Sequence, residues 1–86
     1  MTIDEAIEHV KGLVQVDPFT KLEVGDLDEF YCDAVDDTDG KRWLVWVTHT
    51  VAKNSTVRKL ERFSDETKAL AYAAILCVKT GARLLL

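Results

Sequence analysis

The hydrophobic period of this chain changes twice along its length, which restricts it to folds that combine helices with a sheet. From Thr2 to Gln15 the apolar residues Ile3, Ala6, Ile7, Val10, Leu13 and Val14 recur at helical spacing. Between Leu22 and Val51 apolar positions alternate, the pattern of strands with one buried face. From Ala69 to Val78 every residue is apolar, a run about half the length that crosses a bilayer. Helical ends around a strand-rich middle place the helices on the sheet.

Punctuation sharpens these boundaries. Thr2 is suited to cap the first helix, Asp4 and Glu5 sit in its first turn, and Val16-Asp17-Pro18 ends it because the residue before proline is pushed out of helical geometry. Asp39-Gly40 is the dipeptide of a two-residue hairpin turn. A turn there pairs Ala34 with Val45, Cys32 with Val47 and Phe30 with His49. One side of the ribbon is then Phe30, Cys32, Ala34, Trp43, Val45 and Val47; the other pairs Val35 with Leu44, Asp33 with Trp46 and Tyr31 with Thr48. After a turn at residues 52–55, Thr56 to Phe63 reads as a third strand, although Val57, Leu60 and Phe63 are three apart, as in a short helix. Ser64 is the expected cap of the second helix, Gly81 its expected end, and Ala82 to Leu86 a terminal strand.

The expectation is one α+β domain over residues 1–86. It has two layers in the order α-β-β-β-α-β, with two helices on one face of a mainly antiparallel sheet. Its α-β-β-β-α portion resembles double-stranded-RNA-binding domains in topology alone. The basic cluster that such domains carry at the start of the last helix is replaced by Asp65, Glu66 and Lys68.

Chemistry-bearing residues are sparse. Asp36-Asp37-Thr38-Asp39-Gly40 suggests a calcium loop, but its first position would be Val35 and its twelfth Trp46, neither a ligand, so a solvated turn is expected. His9 and His49 have no second ligand at metal or catalytic spacing, and His49 is expected at the rim of the core face. Ser55 and Ser64 lie outside any nucleophile motif, and no glycine-rich phosphate loop is present. Cys32 and Cys77 read as buried, reduced thiols. No enzyme activity, metal or cofactor is expected. The first residues lack the basic-then-apolar order of a signal peptide, so a cytoplasmic protein without membrane attachment is expected.

Charge points to binding. The first 40 residues carry 12 acids against 2 lysines and the last 46 carry 9 bases against 3 acids, halves of about −10 and +6 within a net charge of −4. The leading expectation is a small acidic protein-binding module that meets a partner with a basic surface. A regulator or inhibitor of a nucleic-acid-handling complex, of the kind phages or mobile elements encode, is one version. Asp33, Asp36, Asp37 and Asp39 would steer association, and Tyr31 and Trp46 would supply buried contact. A second expectation is nucleic-acid binding through Arg42, Arg58, Lys59 and Arg62, less favoured because the whole chain is acidic. A third is a homodimer whose seam on the second helix includes Ala71 and Ile75, since a helix apolar all round has to be covered on more than one side.

Overall fold

In the computed structural model, which describes residues 1–27 and 40–85, the elements follow the expected order. They are α1 (Ile3–Val16), β1 (Lys21–Asp26), β2 (Trp43–Val51), β3 (Asn54–Phe63), α2 (Glu66–Thr80) and β4 (Arg83–Leu85). The strands form one four-stranded sheet in the order β3-β2-β1-β4, antiparallel except where β4 runs parallel to β1. Ala6 and Val10 of α1 and Ala69, Tyr72, Ala73 and Leu76 of α2 meet Leu22, Val45, Val47 and Leu60 in a single core. Register places the strand residues Leu22, Val45 and Val47 on one face, so both helices cover the same side.

The helix ends follow local chemistry. Thr2 Oγ1 accepts from Glu5 N–H while the Glu5 carboxylate accepts from Thr2 N–H at 3.0 Å, a reciprocal capping box. Asp65, one residue beyond the expected Ser64, caps α2, its carboxylate accepting from Lys68 N–H at 2.8 Å. Gly81 ends α2 in the left-handed region at φ 83°, where a side chain is strained.

The sheet corrects the expected hairpin register. Val47 faces Leu22 and Val45 faces Val24 across β1, in place of Cys32 and Ala34, and His49 faces Thr56 on β3, in place of Phe30. Both edges of β2 are taken by β1 and β3. The tight hairpin turn that joins β2 to β3 is Ala52-Lys53, with φ of 51° and 70°, between the paired Val51 and Asn54.

A β-bulge explains the irregular pattern of β3. Trp46 pairs with Lys59 and Val45 with Glu61, so Leu60 is an extra residue on β3. The parity of the strand reverses there. Val57, opposite Thr48, is on the face away from the helices, whereas Leu60 enters the core and Phe63, opposite Trp43, packs against it. The three-residue spacing thus belongs to a strand.

Candidate binding surfaces

Three surfaces bear on how this chain meets other molecules. They are the sheet face away from the helices, the exposed edge at β3, and the outer side of α2.

On the far sheet face stand Leu44, Trp46 and Thr48 of β2, with Arg62, Lys59 and Val57 opposite them on β3. Leu44 is 1% exposed and Trp46 is half-buried, so this face is covered at Leu44. Of the residues expected to bind protein, only Trp46 is placed. Tyr31, Asp33, Asp36, Asp37 and Asp39 lie outside the described residues, as do Cys32 and the aspartates of the suspected calcium loop.

The four basic residues expected to hold nucleic acid do not share a face. Lys59 and Arg62 point away from the helices, whereas Arg58, opposite Val47, points to the helix side. Arg42 forms an ion pair with Asp26 at 3.0 Å just before β2 begins. The start of α2 carries the Asp65 cap and Glu66, so an acidic end stands where a double-stranded-RNA-binding domain is basic.

At the β3 edge, residues from Asn54 to Lys59 are exposed. An open strand edge invites pairing with another strand, but this one carries Arg58 and Lys59 and is interrupted by the bulge at Leu60. Both features discourage edge-to-edge association.

The outer side of α2 is different. Its buried stripe is Ala69, Tyr72, Ala73 and Leu76. On the opposite side Thr67, Ala71, Ala74 and Val78 are exposed and spaced four, three and four residues apart. Val78 is 83% exposed and the adjoining Ile75 45%. Both residues of the expected seam, Ala71 and Ile75, therefore face outward. Sequence reasoning identified the helix as over-apolar but did not single out Val78, the most exposed large apolar side chain among the described residues. Its spacing from Ala71 and Ala74 was the available signal.

Other reactive groups are quiet. Cys77 is half-buried and unpaired, and burial pushes its thiol pKa up, away from a reactive thiolate. Tyr72 is pushed up to about 12 by burial and by the neighbouring Glu61 and Glu5 carboxylates. Its hydroxyl donates to Met1 O at 3.0 Å, and its ring meets Phe63 at 5.0 Å between centroids. Among the described residues no cluster of three or more His, Cys, Asp or Glu is placed to hold a metal ion, and no helix is long and apolar enough to cross a membrane.

Comparison with known proteins adds nothing to this geometry: the chain matches no family model, no curated protein and no solved structure.

Proposed function

We propose that this chain is a non-enzymatic protein-binding module that associates through the outer side of α2, with a second copy of itself as the occupant. The observation that carries this reading is the exposed apolar stripe Ala71, Ala74, Ile75 and Val78. With Thr67, the residues Ala71, Ala74 and Val78 are spaced four, three and four apart, as in a helix–helix seam, and the alanines let two helix axes approach to about 8 Å. The ends of α2 favour an antiparallel pair. Asp65 and Glu66 stand at its start and Lys79 in its last turn, so each acidic end lies beside the partner's lysine and the helix dipoles oppose.

The test is mass as a function of concentration, by sedimentation equilibrium, for the native chain and for Ala71→Glu with Val78→Glu. Reversible dimerisation of the native chain, weakened at least tenfold in the variant, supports the reading. A monomer at every concentration refutes self-association.

A second reading, docking to a basic-surfaced partner, is favoured by Asp4, Glu5 and Glu8, all exposed on the first half of α1. Such a surface speeds encounter and makes the on-rate salt-dependent. Replacing Asp4 and Glu8 by Lys, which leaves the Glu5 capping box in place, slows association with that partner under this reading, and an unchanged on-rate rejects it.

A further inference from the structure

The seam between α1 and the hairpin has two unlike ends. Near the start of α1, polar groups are matched: the Met1 amine donates to Leu60 O at 2.8 Å and pairs with Glu61 at 3.3 Å. Farther along α1, three basic side chains converge. His9 projects from α1, His49 lies on the helix-covered face of β2, and Arg58 lies on the same face of β3, opposite Val47. His9 Nε2 and His49 Nδ1 are sealed from solvent and neither has a hydrogen-bond partner.

A sealed, unpartnered imidazole nitrogen is tolerable while the ring is neutral. Protonation adds a full charge and leaves both ring nitrogens as donors, and both burial and a nearby guanidinium oppose it. We propose that His9 is an acid-sensitive latch, whose protonation beside His49 and Arg58 releases α1 from the β2–β3 end of the sheet.

The charged surroundings support this direction. Burial, then Arg58, then His49 hold the His9 pKa below its ordinary 6.5. The Asp17 carboxylate, which lies near His49, is otherwise engaged. Asp17, in the loop after α1, accepts from Thr50 N–H at 2.8 Å and Phe19 N–H at 2.9 Å. Those bonds come first among the causes that lower its pKa from 3.8, and the charges of His49 and Lys21 add to them.

Because the folded pKa of His9 lies below the unfolded one, its contribution is complete above about pH 6.5 and is lost as pH falls below that value. Asp17 and Glu5 are also lowered, from 3.8 and 4.5, so their contributions disappear in a separate, more acidic window. The two limbs are distinguishable.

The test is an NMR titration of the intact chain from pH 8 to 5, following the His9 ring and the amide protection of α1. A ring that binds its proton more tightly when released than when docked raises the opening constant on acidification, by at most about tenfold for each pH unit between the two midpoints. The expected result is a His9 midpoint below 6.5, with α1 protection falling as the pH drops from about 6.5. Arg58→Gln should move the His9 midpoint upward. His9→Gln should remove most of that loss of protection. A native midpoint at or above 6.5 overturns the proposal, as does an undiminished loss in His9→Gln. If His9→Gln does not fold, the native and Arg58→Gln titrations decide, an unmoved midpoint counting against the latch.

Discussion

The two helices bury similar inner faces but present opposite outer ones. α1 packs Ala6 and Val10 inward and exposes Asp4, Glu5, Glu8, Lys11 and Gln15. α2 packs Ala69, Tyr72, Ala73 and Leu76 inward and exposes Ala71, Ala74, Ile75 and Val78. Hydrophobic burial within one chain accounts for the apolar pattern of the first helix except its last residue, Val16, which is 62% exposed, and for only the inner stripe of the second. What remains is apolar surface that the monomer does not use, arranged in a line a partner helix fits.

The sharpest break in the comparison comes from cutting into α2 on its inner side. Leu76 is fully buried, and Leu76→Ala should cost about 2–5 kcal/mol in urea unfolding, through lost transfer energy and the cavity left behind. The helix ends come next. Thr2→Ala removes the capping box of α1, and about 1 kcal/mol should be lost. Gly81→Ala places a side chain at φ 83° and should cost about 1 kcal/mol, read as a fall in melting temperature. Smallest is Val78→Ser on the outer side. At concentrations where the chain is monomeric it should change stability by no more than about 0.5 kcal/mol, because the side chain is 83% exposed. A large loss there would mean the outer side is packed within the monomer, and the contrast between the helices would fail.

Much of this arrangement is legible in the sequence. Thr2, Gly81 and the helical spacing of Ile3 to Val14 locate the helices to within a residue or two, because caps and periodicity act over one or two turns. Ser64 was the wrong cap because Ser and Asp cap almost equally well, and chain geometry chose Asp65. Strand pairing was harder to read. Asp39-Gly40 carries the strongest turn chemistry in the chain, yet β2 takes Leu22 and Val24 as partners. The closed turn beside it is Ala52-Lys53, two residues that reach positive φ without glycine. Pairing is a long-range choice, and local turn preference is worth too little to fix it. The bulge at Leu60 likewise has no composition signal; it shows only as the three-residue spacing of Val57, Leu60 and Phe63, which also fits a helix.

Candidate surfaces divide in the same way. Ala71 and Ile75 were readable because a helix without a polar side is anomalous wherever it packs. The separation of Arg58 from Lys59 and Arg62 was not, since it depends on strand parity around a bulge. The meeting of His9 with His49 and Arg58 joins α1 to the β2–β3 hairpin, which is distant from it in sequence.

The most direct test of the central claim is an amide chemical-shift map of the native chain recorded over a hundredfold dilution. The account predicts concentration-dependent shifts centred on Thr67, Ala71, Ala74, Ile75 and Val78, with β3 and the outer side of α1 unmoved. Shifts along Asn54 to Lys59 instead, or none at any concentration, would contradict it.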